Sequence, residues 1–340
     1  MQATWNLDPL VEKIASTVSA HKRTEAGAYA RWLWQDKTGS RKMGCNEYGC
    51  ADAANIQYII GRPVRDPAER AASVRVLQDF QHPDTGFFDE GTHHPLHCTA
   101  HCTAALELYD ALPRYPLTGL EPYRTKEGLY ALLDGLDWAG NPWPMAHQGA
   151  GVFAAMILTH QAPKEWQDWY FDWLNKNADP EYGYGRAGAI QTGQRPPEHH
   201  LNGWFHYLFN YEYARRPYPY AEKLVDGLID LYDSGKLCQG DAYEFGTGAG
   251  FREIDWTFTL HRAARQTGYR LSEARDRIRR FAEGYFTALS EIDMQTDEWW
   301  NDLHALFGAC CALAEVQLAL PGEVYTTVPL RSELDRRPFI

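Results

Sequence analysis

Four histidines, His93, His94, His97 and His101, crowd the start of one apolar stretch, where a Gly-containing loop turns into a run of small and apolar residues from Thr99 to Leu108. Histidine gives or takes a proton near neutral pH, so this placement suits general acid–base work. The pattern recurs. Nine of the 13 histidines (His93, His94, His97, His101, His147, His199, His200, His206 and His304) fall in or just after such loops. Carboxylates share these segments: Glu47, Asp52, Asp89, Glu90, Glu198, Glu253, Asp255, Asp297, Glu298 and Asp302. Acids near a helix start are also favoured by the helix dipole, so position alone does not make them catalytic.

The elements that must carry these groups follow from periodicity. Six times a Gly/Asn/Asp-rich loop leads through a polar cluster into an apolar helix, over 42–60, 84–112, 138–160, 180–214, 240–264 and 295–318. Their starts lie roughly fifty residues apart, the length of a two-helix unit. Between them, 68–80, 126–136, 164–175, 220–232 and 271–289 are amphipathic, each a helix with one wet side. Residues 9–34 are also expected to be helical. Helices buried all round, alternating with amphipathic ones, predict an all-α fold: an (α/α)6 toroid of six hairpins with inner and outer rings. Neither a linker nor a run of alternating strands divides the chain, so 1–340 is expected to be one domain.

Bulk properties restrict the partners. A net charge of −12 argues against nucleic acid. No apolar run has the length of a membrane span, so no membrane partner is expected. Seven cysteines read as reduced thiols, and the first residues lack a signal-peptide pattern, so the expected location is cytoplasmic. The tail, 321–340, is expected to close the ring or to meet a second subunit, which leaves a homodimer open.

The segment Gln78-Asp-Phe-Gln-His-Pro-Asp-Thr-Gly-Phe-Phe, followed by His97-Cys-Thr-Ala-His-Cys-Thr-Ala-Ala-Leu-Glu-Leu, resembles the repeats of terpenoid-cyclase and prenyltransferase toroids. The Asp-x-Asp-Asp acid motif of those cyclases and the Asp/Cys/His zinc set of protein prenyltransferases are missing from this chain. The resemblance therefore implies architecture. The same toroid is shared by six-hairpin glycoside hydrolases, polysaccharide lyases and sugar epimerases, which the polar mouth resembles.

The chemistry expected is cleavage of a glycosidic bond in an oligosaccharide. Two carboxylates facing across a cavity are the equipment of glycoside hydrolysis. The acid–base pair is expected among Asp255, Asp302, Glu253 and Glu198, with His97, His101 and His200 assisting. Glu47, Asp52, His93, His94, His147, His199, Asn202, His206, Arg252 and His304 are expected to bind substrate. Trp143, Trp204, Trp256 and Trp299 are expected to stack on sugar rings, a role abundant aromatics share with packing. Glu198, Asn202 and His206, at i, i+4 and i+8, share one helix face. A lyase or epimerase using His with Tyr48, Tyr182, Tyr184, Tyr207 or Tyr243 is the alternative. A terpenoid-cyclase-like enzyme and a non-catalytic sugar-binding toroid are further ones. His97 and His101, at i and i+4, have a spacing that can hold zinc, but they lack a fixed ligand loop. No metal and no other cofactor is expected.

Overall fold

The protein, seen as a computed structural model, is described over residues 5–237, 244–293 and 296–340. Tyr243 and the predicted starts of the fifth and sixth units, at 240 and 295, lie outside the described residues. The chain opens with a short strand, β1 (Trp5–Asn6), and α1 (Asp8–His21). Then follow α2 (Glu47–Ile59), α3 (Pro67–Asp79), α4 (Pro95–Leu108), α5 (Lys126–Gly135), α6 (Pro142–Leu158), α7 (Lys164–Asn177) and the one-turn α8 (Ala189–Thr192). The second half holds α9 (Pro197–Tyr213), α10 (Ala221–Asp233), α11 (Arg252–Thr267), α12 (Leu271–Glu291), the one-turn α13 (Glu298–Asn301) and α14 (Leu303–Ala319). A second strand, β2 (Val324–Tyr325), pairs in parallel with β1.

Two kinds of helix alternate, as the periodicity predicts. Every residue from Leu96 to Leu106 of α4 is buried, and α2, α6, α9, α11 and α14 are buried nearly all round. By contrast α10 buries Ala221, Leu224, Val225, Leu228 and Ile229, a single stripe. The helix starts follow from local chemistry. Asn46, Asp66 and Thr125 accept backbone N–H groups at the first turns of α2, α3 and α5, and Pro95 and Pro142 occupy first-turn positions of α4 and α6.

The buried helices pack in succession: α2 on α4, α4 on α6, α6 on α9, α9 on α11, α11 on α14, and α14 back on α2. Small residues set how closely they approach. A Cβ on Gly151 of α6 would lie 2.8 Å from the Leu96 carbonyl oxygen of α4. One on Gly203 of α9 would lie 2.8 Å from the Pro142 carbonyl oxygen of α6. The amphipathic helices pack against this set from outside, α3 on α2 and α4, α10 on α11, and α12 on α10, α11 and α14. Among the described residues no helix is long and apolar enough to cross a membrane.

One expectation changes. The helix predicted over 9–34 ends at His21, and the chain then turns back through a Lys22–Tyr29 bridge before running extended, with bridges from Ala30 to Cys45 and from Trp32 to Asp302. The stretch that follows His21, Lys22-Arg-Thr-Glu-Ala-Gly27, is too polar to continue a buried face. The tail packs into the inner helices. Arg337, fully buried, donates to the Ala104 carbonyl (2.7 Å) and to Asn55 Oδ1 (2.5 Å), and Asn210 donates to the Pro338 carbonyl (3.0 Å).

A buried ion cluster ties α11, α14 and the tail together. Arg262 donates two parallel bonds to Glu315, at 2.7 and 2.8 Å, and one to Asp335 at 2.7 Å, while His261 Nδ1 lies 2.5 Å from Glu315. Burial raises the Glu315 carboxyl, but the Arg262 guanidinium and the His261 contact outweigh it and bring it down to about 2. A carboxyl held below its unfolded value stabilises the fold above that value, and the contribution is lost as pH falls through the folded value. Glu333 works in the opposite sense: burial, only partly offset by Arg337, pushes it up to about 7. Acid titration followed by circular dichroism should therefore show loss of stability between about pH 5 and pH 2, with Glu315 supplying on the order of 3 kcal/mol of it. The Glu315→Gln chain should lose about 3 kcal/mol in urea unfolding at neutral pH, since Arg262 loses its buried bidentate partner and keeps only Asp335 and Glu212. An unchanged urea midpoint would count against the cluster as a structural tie.

Candidate functional site

The polar centre is built on the inward faces of the buried helices, near their starts. Helix α2 supplies Tyr48 and Asp52, one turn apart, and α4 supplies His97 and His101 at the same spacing. His147 comes from α6, His206 from α9 and His304 from α14. His93 joins from the loop before α4.

Tyr48 sits in the middle. Its ring centroid is 4.9 Å from that of His93, 4.7 Å from His101 and 4.8 Å from His304. Its hydroxyl lies 2.5 Å from His97 Nδ1. From His97 the rings continue to His147 at 4.4 Å and on to His206 at 4.9 Å. His206 Nδ1 bonds the Asn202 carbonyl at 2.9 Å. On the other side Asp52 Oδ1 meets His101 Nε2 at 2.8 Å and His304 Nδ1 at 3.1 Å. Two groups of metal-ligand type thus arise, His97 with His147 and His206, and Asp52 with His101 and His304; in each the ligand atoms lie within 4.8 Å of one another.

Burial governs the charges. It drives His97 and His147 far below the usual imidazole value, helped by repulsion from neighbouring histidines, His147 on His97 and His206 on His147 first among them. It brings His206 and His304 down to about 4. These four rings are therefore neutral at neutral pH. Burial also raises the Tyr48 phenol, which stays protonated. On Asp52 burial acts upward, but His304 and His101 outweigh it and hold the carboxyl below its usual range. The centre thus sets these four uncharged imidazoles beside a phenol and one carboxylate.

Above Tyr48 the extended segment carries Arg31, whose guanidinium is 5.4 Å from the Tyr48 ring. Arg31 donates two bonds to Asp302, at 2.8 and 3.0 Å, and one to Thr92 at 3.1 Å. Burial opposes the ionised Asp302, and Arg31 more than offsets it. Glu90 accepts from Thr92 and contacts His93 Nδ1 at 2.8 Å. Burial raises Glu90 as well, yet His93, Thr92 and Arg31 bring it to about 2.

The expected residues divide accordingly. Asp52, His93, His97, His101, His147, His206 and His304 come together. Asp302 caps α14, accepting from the His304 backbone N–H at 3.0 Å, and its carboxylate is engaged by Arg31. Glu253 is buried and accepts the Gly246 N–H at 3.0 Å, toward the preceding loop. Asp255 stands on the face of α11 shared by Phe251, 4.6 Å from His304, and Phe258, 5.4 Å from Phe205. Both Asp255 oxygens are buried without a hydrogen-bond partner, and burial, then Glu253, keeps the acid protonated. Glu198 and Asn202 are buried on the His206 face. Trp143, one turn before His147 in α6, lies 5.7 Å from the Arg252 guanidinium and 6.5 Å from the His199 ring. Glu47 is buried beside Lys42 (3.7 Å), His94 caps α4, and Trp299 is half-buried in α13.

Three placements depart from expectation because a helix face cannot serve two sides. His200, two residues from Asn202, is on the opposite side of α9, beside Gly185. Trp256 donates to the Leu228 carbonyl (3.1 Å) and packs on Tyr232 and Phe281, toward the outer helices. Trp204 packs on Trp138 and Tyr207, likewise outward. Arg31, Phe251 and Phe339 join the site with no local sequence pattern to announce them, and Tyr48 is expected only as one of several tyrosines. Tyr48 does carry a signal, the i, i+4 spacing to Asp52 that mirrors His97 and His101. Compared with protein-family models, with curated proteins and with solved structures, the chain matches none.

Proposed function

We propose that this chain is an (α/α)6 toroid enzyme acting on a carbohydrate, by proton transfer through histidine and tyrosine at the centre of the inner helices. The observation that carries this reading is the Asp52–His304 pair beside Tyr48. Asp52 accepts from His304 Nδ1, which orients the ring and leaves Nε2 as the basic atom. Neutral at working pH, that imidazole is ready to accept a proton. The Tyr48 phenol, 4.8 Å away between ring centroids, is a proton donor.

In an elimination, His304 would take the proton on the carbon next to a substrate carboxylate. The electron pair forms the carbon–carbon double bond, the glycosidic C–O bond breaks, and the departing oxygen receives a proton from Tyr48. In an epimerisation the abstracted proton's position is refilled from the opposite face. Both fit a site of neutral rings better than a pair of ionised acids would. Hydrolysis is the second reading, favoured by one observation: Asp255, protonated and facing inward, has the state of a general acid, with Glu198 as the candidate partner. Asp302 and Glu253 are engaged elsewhere, by Arg31 and by the Gly246 N–H.

The test is turnover of an oligosaccharide panel that includes uronates, read by mass and by ultraviolet absorbance of an unsaturated product. A new double bond, or an inverted centre, is expected. In that reaction His304→Ala and Asp52→Asn should each lower kcat by about 10²–10⁴-fold, with Tyr48→Phe in the same range. A product heavier by one water, with Asp255→Asn inactive and His304→Ala active, would replace proton transfer by hydrolysis. No turnover across the panel would overturn both.

A further inference from the structure

We propose that His97, His147 and His206 form a binding site for a divalent transition metal, zinc by the character of the ligands. The site is separate from the Asp52 pair and rests on geometry alone, whatever the substrate.

Three neighbouring inner helices, α4, α6 and α9, each contribute one imidazole, and one ring nitrogen from each lies within 4.8 Å of the other two. A metal at about 2.0–2.1 Å from each nitrogen needs them roughly 3.4 Å apart, so inward rotations on the order of 1 Å complete the set. The outer nitrogens are already held. His97 Nδ1 faces the Tyr48 hydroxyl at 2.5 Å and His206 Nδ1 the Asn202 carbonyl at 2.9 Å. With those atoms engaged, His97 and His206 present Nε2 as ligands. A hydrogen bond to the outer nitrogen is how proteins fix the tautomer and direction of a ligating ring.

His147, half-buried between the two, packs on the rings of His97, His93 and His206. It has no side-chain hydrogen bond among the described residues. Its ring nitrogens, set among three other imidazoles, have neither a carboxylate nor a carbonyl to bond among the described residues and are available as ligands. A cation that accepts three neutral nitrogens supplies a partner. Phe339 from the tail packs on His97 at 4.9 Å and closes one side. Three protein ligands leave a fourth position for water or substrate. The other triad differs, because Asp52 Oδ1 already bonds a nitrogen of each of its histidines.

The experiment uses the full chain, treated with a chelator, dialysed, and titrated with Zn²⁺ by calorimetry and with Co²⁺ by visible absorption. Uptake of about one equivalent is expected, with the Co²⁺ form showing the bands of a four-coordinate nitrogen site. His147→Gln and His206→Gln should abolish uptake, while His82→Ala, on the exposed surface, should leave it unchanged. Tyr48→Phe keeps the ring and removes the hydroxyl, and should weaken the metal by about 10–100-fold. Circular dichroism on each variant separates lost binding from lost folding. Absence of uptake by the wild-type chain, or equal uptake by a folded His147→Gln chain, would overturn the site. Uptake without any saccharide turnover leaves the metal standing and overturns the proposed function alone.

Discussion

Close approach of the inner helices is the constraint on which everything else rests. Gly151 against Leu96 and Gly203 against Pro142 let α4, α6 and α9 come together with no side chain between their backbones. Only at that separation do His97, His147 and His206, one from each helix, reach ring contact. A larger residue at Gly151 would meet backbone, which cannot give way as a flexible side chain can. The small-residue composition of these helices is thus a packing requirement and a condition for the site.

Such packing leaves little water to solvate charge, and the polar groups divide into two regimes. Where a charge is kept, it is matched: Arg262 with Glu315, Arg31 with Asp302. Both are bidentate, the geometry in which an arginine–carboxylate pair recovers most of its desolvation cost. Where no counter-charge is available, burial neutralises the group, as with His97, His147 and protonated Asp255. The centre lies at the boundary. Asp52 is its ionised carboxylate, and it stays ionised because two imidazoles point hydrogen bonds at one oxygen. A base oriented by a carboxylate, next to a neutral phenol, is the outcome of that balance.

Much of this is legible in the amino-acid sequence. Alternation of all-round and one-sided apolar patterns marks the helices and their two classes, because burial on every side demands a different composition from burial on one. The i, i+4 pairing of His97 with His101, and of Asn202 with His206, correctly puts those groups on shared faces. What the pattern misses has a tertiary cause. The stretch beyond the Lys22–Tyr29 bridge extends because it crosses beside α13 and α14 and places Arg31 on Asp302, a contact 271 residues apart in sequence. That contact engages Asp302, which local pattern can only place at a helix start. His200 departs from expectation for a simpler reason, since it stands two positions from Asn202 and a helix turns it away.

The tail supplies the last step. Its Arg337 reaches Asn55 of α2 and the Ala104 carbonyl of α4, and Phe339 stands between His97 and Phe209 of α9. These contacts lie toward the C-terminal ends of the inner helices, whereas Tyr48, His97 and His304 lie near the N-terminal ends. The tail therefore covers the centre from beneath, and under the proposed function the side of Arg31, Thr92 and His93 is the approach for substrate. That side is also where the half-buried His93 bridges Glu90 and the Tyr48 ring.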